Sequence, residues 1–286
     1  MDLGFHIADF TWDRPAAELG PTLGRVAVAA EAAGVDRLTV VDHLWQVAPY
    51  GDADEPMLEA YTTLGYLAGL TQRVRLHALV TSAVYRAPGL LAKMISTLDV
   101  LSGGRAGLGI GAAWFEAEAL GLGLPFPPVA ERFERLEESL QICQQMWSGT
   151  DQPYQGQHYQ LERTLNRPSL LGGPEPFLMV GGSGERKTLR LVAQYATACN
   201  LFFRPDNAHK LDALRAHCDT LGRDYERIEK TTTIGLDASI DRDHLLDLLS
   251  RAHDCGFTAA YLYARNPDPL AAIDLLAQVI PDISHW

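Results

Sequence analysis

The stretch from Arg73 to Phe126 constrains the fold most, because it spells out a complete strand–helix–strand unit. Val74 to Val80 is β-branched and apolar enough for a buried parallel strand. Pro88 to Leu101 sets apolar residues at helical spacing, and Pro88 suits a first helical turn, where no amide donor is required. Ser102-Gly103-Gly104 stops that helix, and Ala106 to Gly111 makes the next strand. The unit ends in small residues where the second strand finishes.

The same alternation runs along the chain. Strands are predicted at Leu3–Ala8, Arg37–Val41, Val74–Val80, Ala106–Gly111, Phe177–Val180, Ala198–Phe202, Ile228–Leu236 and Phe257–Tyr263. Helices are predicted at Ala16–Ala33, Leu58–Leu70, Pro88–Leu101, Glu131–Trp147, Glu185–Tyr195, Asn207–Leu221, Asp243–Cys255 and Pro269–Val279. Eight strand–helix pairs without a break in composition predict a closed (β/α)8 TIM barrel, one domain over 1–286, with an insertion at about 148–175 that carries a short hairpin. In such barrels the C-terminal strand ends carry the chemistry.

At 286 residues and 47% hydrophobic, the chain has enough apolar surface for a large core. The net charge of −12 argues against nucleic acid or an anionic membrane as partner, since both demand clustered Lys and Arg. The N-terminal MDLGFHIADF lacks the basic start and apolar run of a signal peptide, and no stretch approaches 18 consecutive apolar residues. Cys143, Cys199, Cys218 and Cys255 are far apart with no C-x-x-C, which suggests a reduced, cytoplasmic protein.

Three strand-exit segments carry candidate chemistry. Asp42-His43-Leu44-Trp45 follows the second strand directly. An imidazole there is placed to move a proton near neutral pH; the same residues also suit a polar turn with a half-buried indole. His209, His217, His244 and His253 fall on outer helices instead. Gly181-Gly182-Ser183-Gly184-Glu185-Arg186-Lys187-Thr188 reads as a nest of backbone amides opening a helix and suited to a phosphate, with Arg186 and Lys187 adding charge; a tight glycine turn beside a surface basic pair is the other reading. The pattern matches neither a Walker loop nor a full dinucleotide fingerprint. Gly107 to Trp114 supplies small residues that leave room for a flat ligand or for close packing. Metal and covalent chemistry have little support, because no ligand set or G-x-S-x-G elbow is present.

Taken together, DHLW at 42–45, LVTSAVYRAPGLLAKMISTLDVLSGGRAGLGIGAAWFEAE at 79–118, PFPPVAERFERLEE at 125–138 and GGSGERKTLRLVAQYATACNLF at 181–202 resemble the luciferase-like monooxygenase superfamily, in particular its actinobacterial branch that uses the deazaflavin coenzyme F420. The resemblance implies a barrel that is often a homodimer, a deazaflavin ring at the C-terminal strand ends and a phosphate tail at the fifth strand's loop. By position, Asp42 would touch the cofactor, His43 would exchange a proton beside the ring, and Ala78-Leu79 would form a non-prolyl cis bulge backing it. Thr81 would meet the ring edge, and Ala112 and Ala113 would line the channel. Gly181, Gly182, Gly184 and Glu185 would cradle the phosphate; Arg186 is added on charge grounds. Trp114 stands where sugar-phosphate dehydrogenases of the superfamily carry a catalytic glutamate. With Trp12 and Trp45 it implies a flatter, more apolar small-molecule substrate, such as an enone or imine. Glu116 and Glu118 lie nearby but out of that register. The same barrel also hosts two-component monooxygenases that use reduced FMN, and non-catalytic flavin binders.

Overall fold

The computed structural model describes residues 1–12, 14–48, 50–265 and 268–286, so the loops at 9–15 and 46–56 each include one residue outside the described set. In chain order, β1 (Asp2–Ile7), α1 (Ala16–Ala33), β2 (Arg37–Val40), α2 (Ala60–Leu70), β3 (Arg75–Ala78), β4 (Thr81–Ser82), α3 (Pro88–Ser102) and β5 (Gly107–Gly111) make the first half. Next come α4 (Glu116–Gly121), α5 (Val129–Trp147), the two-residue strands β6 (Tyr154–Gln155) and β7 (Gln160–Leu161), and β8 (Phe177–Gly181). The last third contains α6 (Thr188–Tyr195), β9 (Ala198–Phe202), α7 (Asn207–Leu221), β10 (Glu229–Leu236), α8 (Arg242–Asp254), β11 (Ala259–Ala264) and α9 (Pro269–Ile283).

The main sheet is parallel and runs β3-β2-β1-β11-β10-β9-β8-β5-β4. A parallel bridge from Leu76 to Ala106 joins its two ends, which closes the ring. Strands β3 and β4 are halves of one strand broken at residues 79–80, so the wall has the eight-fold form of an α/β barrel. The insertion carries the expected antiparallel hairpin, β6 against β7. Local signals set the helix ends. Pro88 opens α3, and Gly34, Gly103 and Gly222 adopt left-handed conformations just past α1, α3 and α7.

The inside of the barrel is not purely apolar. His77 on β3 is fully buried; its Nδ1 donates to the carbonyl of Ala78 at 2.9 Å, which leaves Nε2 to accept from the Tyr261 hydroxyl at 2.9 Å. His6 on β1 meets Thr39 at 3.0 Å. Arg37 closes the N-terminal end, paired with Asp2 at 2.8 Å and Glu229 at 2.7 Å. Burial pushes both imidazoles down from 6.5 to about 3. Between pH 6.5 and 3 the unfolded chain therefore binds protons that the folded chain refuses, and stability falls as pH falls through that window. Urea titrations at pH 6.5 and 5 are expected to show a stability lower by about 3 kcal/mol at the lower pH, with His77→Gln removing about half of the loss. A stability that stays flat over this range would refute the assignment of two neutral buried histidines.

The broken strand and the glycine tract explain one another. The cis peptide lies at Leu79–Val80, one residue beyond the expected Ala78-Leu79. The Leu79 amide still donates to Val40 across the ladder at 2.9 Å, so regular pairing persists one residue longer before the chain turns inward. Opposite the turn, a Cβ on Gly109 would stand 2.2 Å from the Ala78 carbonyl oxygen, one on Gly111 3.1 Å from Val80, and one on Gly181 2.9 Å from Val80. The small residues of β5 thus make room for the inward-folded backbone of residues 78–80 rather than directly for a ligand. Leu79 and Val80 remain half-exposed at the C-terminal mouth, where they form a platform.

Candidate active site at the C-terminal mouth

The segment after β2 is fastened by two carboxylates. Asp42, almost fully buried, accepts from both Nη atoms of Arg86 at 2.6 and 2.9 Å, and Arg86 also reaches Glu59 at 2.6 Å. Burial pushes the Asp42 carboxyl up, and the Arg86 hydrogen bonds oppose that rise. Arg86 lies over the Tyr61 ring at 4.7 Å, and the Tyr61 hydroxyl is 2.5 Å from Thr81 Oγ1. The Asp42 and Thr81 side chains, expected against a cofactor, are thus committed to an internal network.

The second carboxylate is Glu118, on α4, a short helix that sequence pattern did not separate from the strand exit. It is 0% exposed and accepts four hydrogen bonds: from His43 Nδ1 at 3.0 Å, from the Trp45 amide at 2.8 Å, from the Leu44 amide and from the Tyr85 hydroxyl. Burial alone would push its carboxyl up. The donors from His43, Tyr85, Trp45 and Leu44 outweigh that effect and hold it below the usual carboxylate range. Burial and Glu118 together push the Tyr85 phenol up, so Tyr85 stays a donor.

His43 is half-buried beside two aromatic rings, with Trp114 edge-on at 5.3 Å and Phe115 at 5.9 Å. Trp114 is 63% exposed and stacks on Phe115 at 5.2 Å, which makes an apolar wall at the mouth. Ala112 and Ala113 lie half-buried between β5 and this wall. Ala113 holds a left-handed φ of 66°, a strained backbone that aims the next residue, Trp114. Trp45 packs over α4, where a Cβ on Gly121 would strike its ring at 2.1 Å. Trp12 departs from expectation: it is buried against Phe10 at 5.7 Å as part of the core.

The glycine segment lies on the same rim, after β8. Helix α6 begins at Thr188 rather than Glu185, so residues 182–187 form a turn ahead of the helix. Gly182, Ser183 and Gly184 are exposed, and Gly182 has φ 123°, open to glycine and strained for other residues. A Cβ on Gly184 would press on Thr188 Oγ1 at 3.0 Å. The turn is braced from α7: Glu185 pairs with Lys210 at 3.0 Å and His209 at 3.5 Å, and His217 donates to the Glu185 carbonyl at 2.8 Å. His217, which sequence reasoning left on an outer face, thus supports the turn. Arg186 is exposed, while Lys187 covers the Phe133 ring at 5.3 Å.

Exposed glycine backbone, a half-exposed two-residue platform and small residues at 112–113 fit a flat ring with a phosphate-bearing tail. Among the described residues no cluster of three His, Cys, Asp or Glu is placed to hold a metal ion, and no helix is long and apolar enough to cross a membrane.

Comparison with known proteins identifies the family and the fold. An F420-dependent glucose-6-phosphate dehydrogenase of Kineococcus radiotolerans is 32% identical over 229 residues, 77% of this chain and 64% of that enzyme, so the chain spans under two thirds of its length. One from Nakamurella multipartita is 28% identical over 272 residues, covering 93% of this chain and 76% of that enzyme. The structure of an F420-dependent secondary alcohol dehydrogenase in complex with an F420-acetone adduct superposes with a TM-score of 0.82 at 17% identity, over 99% of this chain and 98% of the other, which shows a shared fold. The luciferase-like monooxygenase family model matches residues 5–252, and the chain belongs to that family.

Proposed function

We propose that this chain is an F420-dependent oxidoreductase that reduces or oxidises a flat, conjugated carbonyl or imine. One observation carries the reading: His43, held by Glu118, stands at the same barrel mouth as the Leu79–Val80 platform and the exposed Gly182–Gly184 backbone. When bound, the deazaflavin supplies or accepts the hydride. The protein supplies the rest. Leu79 and Val80 back the ring, the amides of residues 182–184 hold the phosphate, and the Trp114–Phe115 wall keeps water from the acceptor. His43 gives up or takes the accompanying proton at Nε2. The relatives are named for a sugar phosphate, but the exposed indole of Trp114 beside His43 favours a planar, apolar acceptor here. A second copy of the chain packs on the outer helices in this reading, and equilibrium sedimentation tests it.

Titrating intrinsic tryptophan fluorescence with F420 and, separately, with FMN decides the cofactor. Saturable quenching by F420, followed by oxidation of reduced F420 on addition of enones, is the expected result. Tight binding of reduced FMN with oxygen consumption, and no response to F420, would instead make the chain a two-component monooxygenase. Saturation without transfer to any acceptor would make it a carrier. In the same titration Gly182→Val is expected to weaken F420 about tenfold or more, because a branched side chain at φ 123° would force the turn to rearrange. Unchanged affinity would remove the phosphate from that turn.

A further inference from the structure

We infer that Glu118 is the positioning residue for His43, fixing the imidazole with Nδ1–H toward the protein so that Nε2 alone exchanges the proton. The inference rests on the proposed role of His43 and goes beyond it by naming the group that sets its protonation geometry.

The argument is one of donors and acceptors. An ionised carboxylate only accepts, and Glu118 is filled by four donors from two segments: the 43–45 turn after β2 and Tyr85 ahead of α3. The Leu44 and Trp45 amides converge on one oxygen; His43 Nδ1 and the Tyr85 hydroxyl converge on the other. Each of the four must present a hydrogen, so Nδ1 of His43 carries one in every protonation state. Nε2 is then the only ring nitrogen able to change. The neighbours on the far side are the rings of Trp114 and Phe115, which offer neither nitrogen a competing acceptor. When Nε2–H hands its proton to the substrate heteroatom, the bonding pair stays on Nε2 and Glu118 remains ionised against Nδ1–H; the matching hydride is what a bound reduced deazaflavin would supply. In the oxidative direction every arrow reverses. A carboxylate fixing a histidine from behind is the arrangement that enforces one tautomer in other proton-transfer enzymes.

The 43–45 turn and α4 are 75 residues apart in sequence, so the pairing forms only in the folded barrel. Glu118 also closes the turn through the Leu44 and Trp45 amides, so His43 is held by the same carboxylate that fixes its backbone. Buried without these donors, its charge would be costly, whereas an apolar residue would serve packing equally well.

The test is the tautomer itself, read without cofactor. Protein labelled with 15N-histidine is expected to show His43 in the Nδ1–H form when the ring is neutral. In Glu118→Gln the side-chain carbonyl takes the Leu44 and Trp45 amides, which turns the NH2 group toward His43 and obliges Nδ1 to accept. The neutral ring is then expected to invert to the Nε2–H form. Hydride transfer should fall about 10²- to 10⁴-fold while F420 affinity stays within about twofold. Tyr85→Phe, which removes one donor and leaves the pair, should retain the Nδ1–H form. An Nε2–H ring in the wild-type protein, or full turnover in Glu118→Gln, would overturn the inference. If Glu118→Gln does not fold, the wild-type and Tyr85→Phe spectra still decide it. Failure of F420 to bind would strike the proposed function and leave the tautomer result standing.

Discussion

Replacing His43 with asparagine is expected to slow hydride transfer by about 10²- to 10⁴-fold and to leave F420 affinity within about threefold. The split follows from where the ring sits. His43 is anchored from behind by Glu118 and flanked by Trp114 and Phe115, whereas the residues suited to hold the cofactor lie elsewhere on the rim, at 79–80, 112–113 and 182–184. Asparagine keeps a donor for Glu118, so the 43–45 turn stays closed while the nitrogen proposed to exchange the proton is lost. Stopped-flow oxidation of reduced F420 by cyclohexenone and by cyclic imines, paired with the fluorescence titration, measures both quantities. Equal losses in affinity and rate would mean that His43 binds rather than reacts. Wild-type turnover across the pH range would remove it from the chemistry.

Gly109→Ala is expected to cost about 3 kcal/mol or more, and to leave much of the protein insoluble. The added methyl would stand 2.2 Å from the Ala78 carbonyl oxygen, a main-chain atom that accepts from His77, and 3.3 Å from the His77 Nδ1 itself, so no side chain can swing away to relieve the contact. Gly111→Ala meets only the Cγ2 of Val80 at 3.1 Å and the Gly181 carbonyl at 3.3 Å; a few tenths of an ångström suffice there, for a loss of about 1 kcal/mol. Thermal melts of the two variants side by side check the contrast. Equal stability would show that residues 78–80 do not press on β5 as described.

The framework of this barrel is legible in the sequence because its signals are local. Pro88 and Gly103 bracket α3, Gly34 and Gly222 end α1 and α7, and the apolar runs at 74–80 and 257–263 read as strands without their neighbours. His43 is legible for the same reason, standing directly after a strand. The rest depends on distant contacts. Arg86 reads as a loop residue until Asp42 and Glu59 are brought to it, and His77 hides in an apolar strand whose inner face happens to be polar. Glu118 lies off the register expected for a catalytic glutamate because its partner is a histidine rather than a substrate. The peptide at 79–80 was displaced by one residue from expectation, since composition carries no information on which bond in an apolar run turns inward.

The inward fold at residues 78–80, seated among Gly109, Gly111 and Gly181, makes the floor of the mouth out of main chain. The walls come from independent segments: the stacked rings of Trp114 and Phe115 after β5 and the exposed glycine turn after β8. Such a division makes recognition modular. Each wall can be recut while the main-chain floor keeps its shape, so the rim and the floor of the mouth can be engineered separately in this barrel.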